Sequence, residues 1–289
     1  PIQLIYSTNE ERKTFRGKAT MANVVPLAGE GTRFSSVGYI LPKPLIPVSG
    51  KPMVLNAVRS MPKSNKWIFI VRKEHISQYQ IDELIKTEVP HAIIIPVEKT
   101  TRGQAFTCML AKEHLEENEP LFIGSCDCAC AFNSGKYKQI TENKDIDAIT
   151  WTFTQNELLR SKPNAFGWVK VDKDELIVRD ISVKKPVSRD PFNDHAVVSW
   201  FYFKKFADFK QAFNLMVKEN HSISNEFYVD AIPIFLNKLG KKTIIFDADL
   251  FINWGSPETL YEYQEKEYLY RQNLLQDEKW VEYFKKTLK

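Results

Sequence analysis

The sequence predicts an α/β fold with a mostly parallel central sheet flanked by helices. Three observations predict it. Short apolar runs alternate with amphipathic stretches through the first half of the chain, the pattern of β-α-β units with strands buried on both faces. The first apolar run passes directly into a glycine-rich turn, where such sheets open their ligand crevice. From about residue 146 consecutive strands replace the alternation, which marks a mixed-sheet second half.

Residues 24–27 form the first strand, entering the turn Ala28-Gly29-Glu30-Gly31-Thr32-Arg33. After Pro42, Pro44 and Pro47 a helix spans 52–60, and 67–71 is a buried strand. Residues 75–86 read as one helix with Ile76, Ile81, Leu84 and Ile85 inward. A strand at 91–96, a helix at 103–117 and a strand at 121–124 complete the first half. The second half has strands at 146–153, 166–171, 175–182 and 195–203, then helices at 205–218 and 225–239. Short strands at 243–246 and 250–252 precede a charged helical tract from Pro257 onward, able to pack on its own domain or to build a dimer.

The 289 residues carry a formal charge of +4 without a basic block, which suits anionic small molecules and falls short of a nucleic-acid footprint. No apolar run reaches the roughly 18 residues of a membrane span, so a cytoplasmic protein without membrane partners is expected. Cys126, Cys128 and Cys130 alternate along the chain without the spacing of a zinc knuckle, and read as buried, reduced thiols.

The chemistry concentrates around the turn. Gly29 and Gly31 let the backbone approach a ligand and direct N–H groups at phosphate oxygens, and Thr32 adds a hydroxyl. Arg33 supplies a planar fork suited to phosphate. Such a turn alone serves structure as readily as phosphate binding. The second piece is Lys43, fixed between Pro42 and Pro44, whose ammonium can be held toward a charged ligand. Asp127 follows an apolar strand, at the carboxyl end of which open α/β sheets bind their ligands.

Gly29-Glu30-Gly31-Thr32-Arg33 followed by Pro42-Lys43-Pro44 resembles the signature of the sugar-1-phosphate nucleotidylyltransferase family, glucose-1-phosphate thymidylyltransferases among them. The resemblance runs across roughly residues 22–262. It implies a Rossmann-like nucleotide-diphospho-sugar transferase fold and a domain over 22–262. The nucleotide-binding half would run to about 145, with an arm or linker at 1–21 and a helical extension at 263–289. It further implies an enzyme that joins NMP from an NTP to a sugar 1-phosphate or similar phosphorylated acceptor, releasing pyrophosphate, with Mg²⁺ as cofactor. The pathway expected from the family is nucleotide-sugar synthesis for surface or capsular polysaccharide, and a second copy of the chain is a candidate partner.

By the same resemblance Leu27, Ala28, Gly29, Gly31, Thr32, Glu98, Gly103 and Gln104 would bind the nucleotide, and the short turn at Gly103 favours a pyrimidine. Arg33, Lys43 and Lys185 would be catalytic. Gly167, Lys184 and Lys185 would meet the acceptor, and Asp127 with Asn253 the metal. Departures are visible. Asn253 stands where the family has an aspartate, and Lys184 where it has a glutamate that accepts from sugar hydroxyls. A cation cannot accept such bonds, so a sugar held differently, an acceptor with a second anionic group and a non-sugar cytidylyl acceptor stay open. Two other readings are a catalytically silent nucleotide sensor and a glycosyltransferase using Asp145-Ile146-Asp147 or Asp247-Ala248-Asp249 as its metal motif.

Overall fold

The computed structural model describes residues 21–172 and 174–288, so the arm expected at 1–21 lies, apart from Met21, outside the described residues. Strand β1 (Ala22–Leu27) leads into the short helix α1 (Thr32–Ser35), a 3₁₀ turn (Lys43–Leu45), the ribbon β2 (Pro47–Val48) and β3 (Lys51–Pro52), and helix α2 (Met53–Ser60). Then come β4 (Lys66–Arg72), α3 (Lys73–Tyr79), α4 (Ile81–Glu88), β5 (Ile93–Val97), α5 (Gln104–Met109) and β6 (Leu121–Ile123). The second half comprises β7 (Cys128–Ala131), α6 (Ser134–Glu142), β8 (Ala148–Phe153), α7 (Leu158–Ser161), β9 (Gly167–Val171), β10 (Val178–Val183) and β11 (His195–Phe203). Helices α8 (Phe206–Lys218) and α9 (Ile232–Lys238), strands β12 (Thr243–Asp247) and β13 (Leu250–Asn253), and helices α10 (Pro257–Arg271) and α11 (Glu278–Thr287) end the chain.

The sheet has the predicted two-part character. β1 runs parallel to β4 and β6, and β5 extends the parallel set beyond β4. Ile68, Phe69, Ile70 and Val71 are all fully buried, as an unbroken apolar run between two helical layers requires. β11 joins the halves. It pairs antiparallel with β6, β8 and β9, while β10 is antiparallel to β9 and β12 parallel to β8. Its register with β8 breaks between Val197 and Phe201, where Ser199 takes a left-handed φ of 68°. Such a bulge re-aims side chains beside a site. Trp151, Trp200 and Phe122 fill the core in edge-on contacts, Trp151 and Trp200 lying 5.2 Å apart.

Several elements differ from the sequence reading. The helix expected over 75–86 is two helices, because Gln80 turns left-handed at φ 52°; Ile81 and Ile85 are buried and Ile76 and Leu84 pack beside them. The helix expected over 103–117 ends at Met109 and continues as a 3₁₀ stretch. The strand expected at 175–182 begins at Val178. The helix expected from Asn225 starts only at Ile232, after a 3₁₀ turn (Val229–Ala231), because Ser224 and Asn225 are left-handed and Pro233 favours the first helical turn. β7 pairs with β13, and α6, capped by Asn133 accepting from the Lys136 N–H at 2.9 Å, was not anticipated.

The C-terminal helices pack on their own domain. Tyr263 of α10 and Phe284 of α11 are buried in the main core with rings 5.6 Å apart, and α10 crosses the boundary expected at 262. All four cysteines are buried. No helix among the described residues is long and apolar enough to cross a membrane.

Candidate active site

A cleft of about 630 Å³ opens beyond the carboxyl end of β1, between the two halves of the sheet. Its lining includes Leu27, Ala28, Gly29, Gly31, Thr32, Arg33, Lys43, Gly103, Gln104, Asp127, Gly167 and Lys184, twelve of the residues expected to bind substrate or metal.

The glycine turn owes its shape to Gly31, at φ 67°. A side chain there would be strained, and its Cβ would stand 3.2 Å from the Cβ of Lys43. The turn therefore closes directly on the proline-bracketed lysine. Pro44 and Leu45 are buried beneath it, and they anchor the 3₁₀ turn that aims Lys43 into the cleft. Lys43 Nζ lies 2.8 Å from Asp127 Oδ2, with about a fifth of each side chain still exposed. Ser125 donates to the other carboxylate oxygen. Arg33 Nη1 reaches the same corner, donating to the Gly255 carbonyl at 3.1 Å.

Gly255 is the close-packed centre of this cluster. A Cβ on it would lie 3.0 Å from Asn253 Oδ1, 3.1 Å from Asp127 Oδ2 and 3.7 Å from Arg33 Nη1, so those three groups surround one point. The β7–β13 ladder sets Asn253 opposite Cys128, and the Trp254 N–H donates to the Asp127 carbonyl at 2.8 Å. Burial pushes the Asp127 carboxyl up, but the Lys43 ammonium, the hydrogen bonds from Lys43 and Ser125, and Arg33 outweigh it and bring the pKa down to about 2. Burial likewise opposes the Lys43 ammonium, and Asp127 overrides it, so the lysine is held well above its usual range. Both charges persist at neutral pH.

This donor set fits a hard, oxygen-seeking cation only in part. Asp127 offers one carboxylate, already engaged by Lys43, and Asn253 a neutral oxygen that accepts from the Gly255 N–H at 2.7 Å. No group of three His, Cys, Asp or Glu side chains among the described residues could hold a metal. A Mg²⁺ here would take most of its ligands from phosphate and water, which is its ordinary habit.

Where the base is expected, Gly103 sits at φ 112°, and a Cβ would come within 2.5 Å of the Phe227 backbone nitrogen. The Phe227 N–H donates to the Arg102 carbonyl at 2.8 Å and the Ala105 N–H to the Phe227 carbonyl at 3.0 Å. That bridge ties the Gly103 turn to the 226–230 segment of the second half. Glu98 is not brought into the cleft lining; it is exposed and paired with Lys73 at 2.6 Å.

Where the acceptor is expected, Gly167 opens β9, and the backbone N–H of Lys184 bonds to the Phe166 carbonyl at 2.9 Å. Lys184, left-handed at φ 61°, turns its ammonium onto Tyr228, 3.1 Å from the phenol oxygen. Tyr228 in turn donates to Glu226, and burial followed by that carboxylate raises its pKa above the usual phenol range. Lys185 is exposed and outside the cleft lining. Glu226, Tyr228 and Asp230 line the cleft although nothing in the sequence reading singled them out. The aspartate pairs offered as glycosyltransferase motifs do not line it. Asp247 is bound by Thr152 and His195, and Asp147 accepts from the Lys242 N–H.

The nucleotidyl transferase profile matches residues 23–268. The chain belongs to the nucleotidyl transferase family. Among relatives, it is 24% identical over 170 residues to a mannose-1-phosphate guanyltransferase of Candida albicans. That match covers 58% of this chain and 46% of the relative, so the chain spans less than half the length of the sequence relatives it matches. Among solved structures, a nucleoside-diphosphate-sugar pyrophosphorylase from Vibrio cholerae superposes with TM-score 0.67 at 19% identity, covering 84% of this chain and 99% of that one. An inositol-1-phosphate CTP transferase from T. maritima gives 0.65 at 18% identity, over 86% and 96%. These structural likenesses match the mixed α/β fold with its mostly parallel sheet.

Proposed function

We propose that this family member transfers a nucleotidyl group from a nucleoside triphosphate to a phosphorylated small molecule of the sugar-1-phosphate class, releasing pyrophosphate. The observation that carries the reading is the convergence of Arg33, Lys43 and Asp127 on one corner of the cleft, directly beneath the Gly29–Gly31 turn. The turn's amides and Thr32 hold the triphosphate. An acceptor phosphate oxygen attacks the α-phosphorus in line; the new P–O bond forms as the α–β bridge breaks and pyrophosphate leaves. Lys43 exchanges the Asp127 carboxylate for phosphate oxygens, and with Arg33 it stabilises the departing charge. Mg²⁺ held by Asp127, Asn253 and the phosphates would add charge neutralisation there. The attacking phosphate is already ionised, so no general base is required. On the acceptor side Lys184 supplies the cation inside the cleft, with Lys185 exposed beside it.

For the base, the short Gly103-Gln104-Ala105 turn supports a pyrimidine, and a structural relative is named for CTP, whereas the sequence relatives named as guanyltransferases support a purine. Pyrophosphate release, measured with Mg²⁺, each of CTP, UTP, dTTP and GTP, and a panel of sugar and polyol phosphates, tests the whole reading. Turnover with one triphosphate and an acceptor requirement are expected. Tight nucleotide binding with no turnover on any acceptor would instead mark a silent sensor.

A further inference from the structure

Asp230 is the buried carboxyl in the cleft that the chemistry above leaves unused. It sits at the turn before α9, 8% exposed, and its carboxyl forms part of the cleft wall. Its Oδ2 occupies the space a side chain at Gly167 would need, 2.5 Å from where that Cβ would stand. Among the described residues no side chain or backbone donor of another residue reaches this carboxyl. The nearby cation, Lys184, spends its hydrogen bond on Tyr228 Oη. The residue is more than nine-tenths buried, so its carboxyl loses much of its hydration, and the face it turns to the cleft is where a ligand donor would compensate.

We propose that Asp230 is an acceptor-recognition residue: its carboxylate accepts a hydrogen bond from a hydroxyl of the phosphorylated substrate, which makes the acceptor a polyhydroxylated phosphate, a sugar or a polyol. The inference rests on the transfer reaction proposed above. Three observations support this assignment. Lys184 is a pure donor and cannot accept from a hydroxyl. Glu226 is exposed and already accepts from Tyr228. Gly167, by lacking a side chain, leaves room for the Asp230 carboxyl at the cleft wall. Burial raises the Asp230 pKa to about 6, with its own N–H and Lys184 opposing, as for a carboxyl that awaits a donor. Lys184 and Tyr228 are the charged or titratable groups that act on it, from the β10 end and from its own segment.

The test measures pyrophosphate release with mannose 1-phosphate, glucose 1-phosphate and inositol 1-phosphate, each beside its single-deoxy analogues. The proteins compared are the wild type, Asp230→Asn and Asp230→Ala. Asp230→Asn keeps the shape of the wall should the alanine variant fold poorly. The proposal expects the acceptor KM to rise about tenfold to a hundredfold in the variants, with the triphosphate KM within about twofold. One deoxy analogue should be penalised in the wild type and lose that penalty in both variants. An unchanged acceptor KM, or deoxy penalties that persist in full at every position, would overturn it while leaving the reaction standing. No wild-type turnover on any acceptor would overturn the reaction and this assignment together.

Discussion

Two aspartates, one at each end of the cleft, are treated in opposite ways by the fold. Asp127, under the glycine turn, is partly desolvated but surrounded by Lys43, Ser125 and Arg33, and its pKa falls to about 2. Asp230, against Gly167, is desolvated with only its own N–H and the Lys184 charge in opposition, and its pKa rises to about 6. The end proposed for the nucleotide thus has its carboxylate paired within the chain, whereas at the end proposed for the acceptor no other residue donates to the Asp230 carboxyl. The first arrangement suits a triphosphate, whose charge is the same whatever the base. The second suits discrimination, because a buried acceptor left unpaired rejects molecules that cannot satisfy it.

The sharpest way to break this comparison is to strip the nucleotide end of its cations. Arg33→Ala and Lys43→Ala should each lower kcat by about 10²–10³-fold, the scale of losing a charged group aimed at developing charge. Circular dichroism should show both still folded; near-normal turnover would remove these residues from the mechanism. Next in size is Gly103→Ala, which forces a Cβ onto the Phe227 backbone from a left-handed φ. It should lose about 2–3 kcal/mol of stability in denaturant titration and uncouple the two halves of the cleft.

The aspartates themselves give a matched pair of smaller effects with opposite sign. A depressed carboxylate contributes stability above its unfolded pKa and loses it as pH falls through the folded value. Asp127 should therefore contribute about 2 kcal/mol at neutral pH that disappears between about pH 4 and 2, and Asp127→Asn should flatten that limb. A raised carboxyl does the reverse. Asp230 lowers stability as pH climbs from about 4 through 6, so Asp230→Asn should be the more stable protein at pH 7, by about 1–3 kcal/mol in thermal unfolding. Equal signs for the two variants would dissolve the contrast. The smallest effect concerns the metal: Asn253→Asp should lower the Mg²⁺ concentration for half-maximal activity about tenfold, by supplying the charge the amide lacks.

The nucleotide end was legible in the sequence because its chemistry is local. Glycine at 31 and prolines around 43 fix backbone geometry within a few residues, and the ion pair with Asp127 follows once β1 and β6 lie side by side. The other end was legible only at Gly167 and Lys184, for a physical reason. The sequence reads 225–239 as one helix, yet Phe227 is tied by its backbone to Arg102 and Ala105 in a distant turn. No local pattern reports that bond, so Glu226, Tyr228 and Asp230 were hidden inside a helix that begins only at Ile232. The adjacent lysines show the same limit at finer scale. Near the end of a strand, neighbouring side chains face opposite ways, and the left-handed turn at Lys184 decides which of the two enters the cleft.

A crystal structure with Mg²⁺ and a non-hydrolysable analogue of the preferred triphosphate tests the central claim most directly. Lys43 Nζ is expected to leave Asp127 and, together with the Arg33 guanidinium, to contact the phosphate chain beneath the Gly29–Gly31 amides. A triphosphate bound elsewhere, with the Lys43–Asp127 pair intact, would contradict it.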